Sequence, residues 1–320
     1  MAGVHQKGNE EWGSWTSLGS RYNGHHWSPA TAVIGPSEEE NQGPALTVFH
    51  SSGEQKLYGL YSSGKIAHSE DGDAWYLSGT KALPLSPQGK KSSPALVTGE
   101  LETGREQMYA AWVNWSLDTG PDEVYYSTST DGESWESPLT IPHVAITPDR
   151  ELCAAVFKGK LFVITCNNAT SMASFDGVGW TSAPAPSIPV AGRHNSSAVF
   201  GGLLYCGWYY NNDLQYQTYD GSGWGPVKTV PSRDSPFRPA LAAFQDDILV
   251  CTFQAWDYPN RKLSTMYTES RNGDTWGPVE TLISHQGKNA PMGNALAKFG
   301  TSLNCVSTCV SLVDSAPPSP

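Results

Sequence analysis

The stretch Asp71-Gly72-Asp73-Ala74-Trp75 contains the pattern that decides the fold, because Asx-Gly-x-x-Trp occurs six times in 320 residues. The other copies span Asn23 to Trp27, Asp131 to Trp135, Asp176 to Trp180, Asp220 to Trp224 and Asn272 to Trp276. Successive tryptophans are 48, 60, 45, 44 and 52 residues apart. This spacing is that of one repeated structural unit, so six similar units are expected.

The repeat itself has a structural role in this interpretation. Asx-Gly is a strong hairpin signal, because both residue types accept positive φ angles. The tryptophan can pack between neighbouring units. A second consensus precedes each turn, a run of small and apolar residues such as Ala240-Leu241-Ala242-Ala243-Phe244. Each unit therefore has four strands, A to D from inside to outside, which is the size of a propeller blade.

The two ends of the chain complement each other. The N-terminal part, from Trp15 to Ile34, provides a C–D hairpin, and the C-terminal part, from Ala295 to Val310, provides an A–B pair. Joining them completes a blade and removes exposed sheet edges. The predicted fold is an all-β, six-bladed β-propeller that forms a single domain over residues 1–314, with a disordered tail at 315–320.

Composition narrows the function. With 20 basic and 31 acidic residues, the net charge is −11, which disfavours nucleic acid and anionic membranes as partners. No apolar run approaches the ~18 residues of a membrane helix. The N-terminus does not look like a signal peptide, and three glycosylation sequons, at Asn114, Asn168 and Asn195, favour a secreted glycoprotein whose signal peptide is absent from this chain. We expect a monomer.

The segments Ser69-Glu70-Asp71-Gly72-Asp73-Ala74-Trp75 and Ser129-Thr130-Asp131-Gly132-Glu133-Ser134-Trp135 resemble Asp boxes. These boxes are the neuraminidase repeats of sialidases and of sialidase-like propeller lectins. Here Asp and Gly are adjacent, whereas the family pattern places one residue between them. The resemblance implies the propeller fold and says little about activity, because such boxes form C–D turns far from the active site.

A ligand site is expected on the face that carries the B–C and D–A loops, since the C–D turns look short and alike. Cations stand near the start of strand A in several blades: Lys91, Arg150, Arg193 with His194, and Arg238. We interpret the three arginines as equivalent positions around a central mouth, suited to carboxylate or other electron-rich oxygens. The alternative is ordinary exposed charge.

Aromatic residues near the end of strand B are predicted to form the wall of the same pocket: Trp112, Trp208, Tyr209 and Trp256. Such rings can stack on sugars or on flat apolar ligands. The alternative for each ring is packing between blades. The sequence contains no metal-ligand pair, P-loop, dinucleotide-binding motif or nucleophile elbow, so no metal and no cofactor are predicted, and the six cysteines are expected to be buried thiols.

Three functions compete. The first is a lectin-like binding module with a glycan or another small polar or aromatic molecule in one central pocket, because the loops differ between blades. The alternative is a cofactor-free cyclase of fungal secondary metabolism, similar in general character to the hetero-Diels–Alderases (pericyclases). In that case Arg193, His194 and Arg238 would be catalytic, polarising a carbonyl of an enclosed apolar substrate. The third is a sialidase, with Arg150, Arg193 and Arg238 imitating its arginine clamp.

Overall fold

The structure is a computed structural model of the 320-residue chain. It describes residues 5–7, 10–33, 44–51, 53–78, 83, 94–102, 104–114, 123–144, 151–166, 170–233, 235–245, 247–257, 262–284 and 289–313. The predicted tail at 315–320 lies outside these residues.

The N-terminal strands are β1 (His5–Lys7), β2 (Glu10–Tyr22) and β3 (Thr31–Val33). Blade 1 consists of β4 (Ala45–Ser51), β5 (Glu54–Leu60), β6 (Ile66–Ser69) and β7 (Tyr76–Leu77). Blade 2 consists of β8 (Ala95–Glu100), β9 (Glu106–Asn114), β10 (Glu123–Ser129) and β11 (Leu139–Thr140). Blade 3 consists of β12 (Glu151–Phe157), β13 (Lys160–Cys166), β14 (Ser171–Phe175) and β15 (Trp180–Ala183).

Blade 4 consists of β16 (Arg193–Phe200), β17 (Leu203–Tyr210), β18 (Asp213–Tyr219) and β19 (Lys228–Val230). Blade 5 consists of β20 (Ser235–Phe244), β21 (Ile248–Asp257), β22 (Lys262–Ser270) and β23 (Glu280–Ser284). The C-terminal strands are β24 (Asn289–Phe299) and β25 (Ser302–Val313).

The two ends of the chain share the sixth blade, as predicted. Its strands A and B are β24 and β25, and its strands C and D are β2 and β3. β2 and β25 pair antiparallel from Glu11↔Val313 to Tyr22↔Leu303. β1, which the sequence did not predict, also pairs with β2. The six-bladed β-propeller is therefore confirmed, and its ring is closed by hydrogen bonds between the two ends of the chain.

All six repeated turns use the Asx side chain in the same way. The Oδ1 atom of Asp71 accepts hydrogen bonds from the backbone N–H groups of Asp73 and Ala74, both at 2.8 Å. Equivalent pairs of bonds form at the other five turns. These bonds hold the pKa of Asp71 below its usual range, because they favour the ionised carboxylate.

The turns nevertheless fall into two types. In blades 1, 2 and 5 a serine ends strand C, and its Oγ accepts the N–H of the turn glycine, as between Ser129 and Gly132 at 2.9 Å. In blades 3, 4 and 6 the turn is one residue shorter, and an aromatic ring ends strand C. That ring lies 5.2 Å from the turn tryptophan in the pairs Phe175–Trp180, Tyr219–Trp224 and Tyr22–Trp27. The sequence prediction of uniform turns was wrong, because one residue more or less changes what packs under the tryptophan.

The hydrophobic core is divided among the seams between blades. Trp75, which is 5 % exposed, lies in one cluster with Ala295, Ala297 and Val306 of blade 6. The Trp180 ring of blade 3 meets Tyr126 of blade 2 edge-on at 5.1 Å. These turn tryptophans thus join neighbouring blades, as expected from the size of the ring. In the described ranges no helix could cross a membrane.

Candidate functional site

A central cavity of about 470 Å³ runs along strand A of all six blades. Its described loop-face end is lined by residues that precede strand A or lie within it up to its middle residue, including Pro44, Pro94, His194, Arg238 and Asn294. This end is where the sequence predicted a ligand site. The cavity volume falls within the ~300–1,000 Å³ range of small-molecule sites.

His194 and Arg238 occupy equivalent positions on this wall. In blade 4 the strand pairing passes from Arg193↔Tyr209 to Ser196↔Gly207, so strand A has one residue more than strand B and forms a bulge. Blade 5 has the same bulge between Phe237↔Gln254 and Ala240↔Thr252. His194 has a φ of 58° and Arg238 a φ of 52°. Left-handed backbone is costly for residues other than glycine and is often retained where it directs a side chain at a functional site.

Arg193 is therefore not the equivalent of Arg238, contrary to the sequence interpretation. Its counterpart in blade 5 is Phe237, one residue earlier in the bulge. Arg193 is exposed and does not line the cavity, whereas the half-buried His194 and Arg238 do. Both blades contain this bulge: Arg193 stands at the paired position before it and Arg238 within it, and consecutive residues of a strand point to opposite faces.

Two asparagines line the same cavity and tie adjacent blades together. Asn195 donates from Nδ2 to the carbonyl of Ile164 at 3.1 Å, and Asn294 donates from Nδ2 to Thr252 Oγ1 at 2.5 Å. Each amide reaches strand B of the preceding blade. Sequence reasoning considered Asn195 only as a glycosylation site and missed Asn294. The sequence does contain a signal for both asparagines, since each stands five positions before the phenylalanine that ends strand A.

The predicted glycan at Asn195 conflicts with this geometry. Its Nδ2 also lies 3.3 Å from Cys153 Sγ, and a sugar on that nitrogen would displace both contacts. The Asn114 side chain and the whole of Asn168 lie outside the described residues, so glycosylation there stays a prediction.

The described aromatic residues do not form the cavity wall. Trp112 and Trp208 are 1 % and 0 % exposed, and each packs in a cluster shared with the preceding blade. Trp208 Nε1 donates to Gln215 Oε1 at 3.2 Å. Tyr209 packs towards blade 5 and donates its hydroxyl to Asn212 Oδ1. Packing between blades, the alternative interpretation, explains these three rings, because strand B lies one strand away from the cavity.

Three further predicted site residues lie outside what the structure describes. These are Lys91, Arg150 and the side chain of Trp256. The backbone of Trp256 belongs to β21 and pairs with Ser235 and Leu263.

In the described lining, hydrogen-bonding side chains are concentrated on blades 4 to 6, where they lie among alanine, leucine, valine and proline residues. These polar residues are His194, Asn195, Ser196, Ser197, Arg238, Asn294 and Lys298. The described lining from blades 1 to 3 consists of Pro, Ala, Leu and Val, with Cys153 and two threonines, Thr47 and Thr98, that bond to each other at 3.0 Å. A ligand here would meet hydrogen-bonding groups on one side and aliphatic surface on the other.

The described cysteine thiols are buried and belong to strands A and B, the inner strands of the blades. Cys206 is fully buried, and a hydrogen bond with Cys153 together with that burial raises its pKa well above the usual range. Burial raises the pKa of Cys251 and of Cys305 to about 12, so these two thiols are inert at neutral pH. Within the described part of the chain, no three His, Cys, Asp or Glu side chains form a group that could hold a metal ion.

No protein-family model matches this chain, and no curated protein matches its sequence. Solved structures share its fold. A variant of the Aleuria aurantia lectin in complex with α-methyl-L-fucoside superposes with a TM-score of 0.61 at 14 % identity, covering 87 % of this chain and 97 % of that one. A triple arginine-to-alanine variant of AofleA from Arthrobotrys oligospora gives 0.60 at 14 % identity, covering 83 % and 79 %.

The SapL1 lectin in complex with α-methyl fucoside gives a TM-score of 0.52 at 15 % identity, covering 82 % of this chain and 87 % of that one. At such identities the likeness establishes the shared propeller fold alone.

Proposed function

We propose that this protein is a lectin-like propeller that binds a carbohydrate or another small hydroxylated ligand at the loop-face end of the central cavity. The observation that carries the proposal is the pair His194 and Arg238, which adopt the same left-handed bulge in adjacent blades and line one cavity. A guanidinium and an imidazole on one wall suit oxygen atoms of a ligand, because Arg offers several N–H donors in a fixed plane.

The fold supports a binding role of this kind. Two of the structurally similar propellers are lectins in complex with methyl fucosides. Among the described lining residues, the histidine, the arginine and both asparagines lie on blades 4 to 6, which favours a single asymmetric site over six repeated ones. The Ser-x-Asp-Gly turns of blades 1 and 2 support a kinship with the Asp-box propellers, including the sialidase-like lectins, and we include that kinship in the proposal.

The proposal is tested on a printed glycan array that includes neutral and acidic saccharides. The wild-type protein is expected to bind a defined subset, and Arg238→Ala to lose at least ~10-fold in affinity, since a hydrogen bond to a charged group contributes about 1.5–3 kcal/mol. Arg238→Lys keeps the charge and should retain part of the binding. The matched control is Arg271→Ala, which should bind like wild type. Arg271 is an exposed arginine paired with Asp247 on the face that carries the A–B and C–D turns, here called the turn face.

A second candidate function rests on the aliphatic wall of blades 1 to 3. Such a surface could enclose an apolar reactant while Arg238 and His194 polarise a carbonyl oxygen, which is the role of a cofactor-free cyclase. A hetero-Diels–Alder reaction needs no cofactor and no further reagent, because every atom of both reactants remains in the product. The test is to generate an o-quinone methide in the presence of an alkene and the protein and to analyse the cycloaddition product. An excess of one product enantiomer supports the cyclase, and a racemic product formed at the uncatalysed rate contradicts it.

A further inference from the structure

Strand B of each blade places one side chain opposite the Asx-Gly turn of the next blade. Opposite the three longer turns this side chain is polar and lies against the turn glycine, in the pairs Tyr58–Gly132, Tyr205–Gly273 and Asn304–Gly72. A β-carbon at Gly132 would lie 2.5 Å from the Tyr58 hydroxyl. In these three seams, the glycine of the longer turn therefore packs directly against a polar side chain of the preceding blade.

Two of the three shorter turns face apolar side chains instead. Phe162 of blade 3 meets Tyr219 of blade 4 edge-on at 5.8 Å, and Val250 of blade 5 shares a cluster with Tyr22 of blade 6. Tyr109 of blade 2 is the exception, since it holds the register position of Tyr58 and Tyr205 but faces the shorter turn of blade 3. The seam between blades 2 and 3 therefore has a strand-B tyrosine, as is found opposite the longer turns, together with a shorter turn.

The same seam also lacks a ring that other seams have. Strand A ends in phenylalanine in five blades, but blade 2 has Gly99 at that position. In blades 3 and 5 this phenylalanine packs on the aromatic residue of the next turn, as Phe157 does on Tyr219 at 6.4 Å and Phe244 on Tyr22 at 5.5 Å. Blade 2 brings no such ring to blade 3, and Val156 of blade 3 packs directly against Gly99, where a β-carbon would lie 2.7 Å from its side chain.

A cavity of about 390 Å³ lies in this seam, beside Tyr109 and the shorter turn of blade 3. This seam cavity is lined by Tyr109, Tyr126, Phe175 and Gly177, with Gln107 and Glu136 as polar groups. It lies at the end of the blades that carries the A–B and C–D turns, away from His194 and Arg238. In the matching seam between blades 4 and 5, the Tyr216 hydroxyl donates to the Gly273 carbonyl at 2.9 Å and Tyr205 contacts the same glycine.

We propose that the seam cavity binds a small phenolic ring. A flat ring fits between the two facing sheets of this seam, beside Tyr109, Tyr126 and Phe175. Tyr126 and Phe175 offer aromatic surface to such a ring. The amide of Gln107, the carboxylate of Glu136 and the hydroxyl of Tyr109 can bond its hydroxyl group, which distinguishes a phenol from an unsubstituted ring.

The test uses phenol as the probe, titrated into the full-length protein and followed by NMR, with a crystal soak to locate it. Phenol is expected between Tyr109 and Phe175. Tyr109→Phe keeps the ring and removes one hydrogen-bonding group, so it should weaken binding by ~2–10-fold, the equivalent of about 0.5–1.5 kcal/mol. Tyr205→Phe changes the matching tyrosine of the filled seam and should leave phenol binding as in wild type.

Any of three results with phenol would overturn the proposal: no phenol binding at millimolar concentration, equal affinity in wild type and Tyr109→Phe, or loss of phenol binding in Arg238→Ala. The last result would place phenol in the central cavity. Binding of methyl glucoside in the seam without phenol would also overturn it, since the ligand class would then be wrong. The outcome is independent of the glycan array, because Tyr109 and Arg238 lie at opposite ends of the blades.

Discussion

Ser129 and Gly132 are joined across the turn of blade 2 by a hydrogen bond of 2.9 Å from the glycine N–H to the serine Oγ, and both groups are buried. Ser129→Ala leaves that N–H without its acceptor. The expected loss of stability is about 1–3 kcal/mol, the cost of a buried unsatisfied donor. Denaturant unfolding measures it, with Ser182→Ala, an exposed serine on β15, as a control within ~0.5 kcal/mol of wild type. Equal stabilities would show that the serine does not hold the turn.

Trp75→Ala should be among the most destabilising single changes. The ring is 5 % exposed and joins blade 1 to blade 6, where the ends of the chain meet. Truncating a buried aromatic residue costs about 3–5 kcal/mol. The neighbouring Tyr76 is 56 % exposed, so Tyr76→Ala should cost less than ~1 kcal/mol. A melting temperature of Trp75→Ala equal to that of Tyr76→Ala would refute this role.

Acid should destabilise the propeller through its turn carboxylates. The Ser222 hydroxyl and the N–H groups of Gly223 and Ser222 lower the pKa of Asp220 to about 2. A carboxylate with a depressed pKa stabilises the folded state above its unfolded pKa of ~3.9, and this contribution disappears as the pH falls towards 2. Asp220→Asn should therefore lose less of its melting temperature between pH 5 and pH 2.5 than wild type does.

The Asn variant should also fold, because Asn272 accepts the same two backbone bonds in blade 5. Identical acid sensitivity in wild type and Asp220→Asn would contradict the contribution of this carboxylate.

Asn195 is expected to act as a clamp between blades 3 and 4. Asn195→Ala removes the bond to the Ile164 carbonyl and should cost about 0.5–1.5 kcal/mol. Asn195→Asp cannot donate from its ionised carboxylate, so it should be less stable than Asn195→Ala at neutral pH. Mass spectrometry of protein secreted by a eukaryotic host should find Asn195 unmodified. A glycan at Asn195 on folded protein would contradict the clamp.

The repeat made the fold predictable, because Asx-Gly-x-x-Trp gives both the hairpin and the ring that joins blades. The complementary hairpin and strand pair at the ends predicted the shared sixth blade. The site was less accessible to sequence reasoning. Arg193 stands just before the bulge of its strand and Arg238 within the matching bulge of the next blade, and a bulge has no fixed sequence signature.

The aromatic residues illustrate a second limit. Trp112 and Trp208 stand in strands buried on both faces, so an alternating pattern could not show which face a ring occupies. The distinction between seam and cavity depends on how neighbouring blades meet. That contact is made by residues about fifty positions apart, and no local pattern records it.

A crystal structure of the protein soaked with the glycan that binds most tightly on the array tests the central-cavity site most directly. We expect one ligand at the loop-face end of the central cavity, with oxygen atoms within hydrogen-bonding distance of Arg238 and His194 and its least polar side towards blades 1 to 3. A saccharide bound only between blades or on the turn face, with the central cavity empty of ligand, would contradict it.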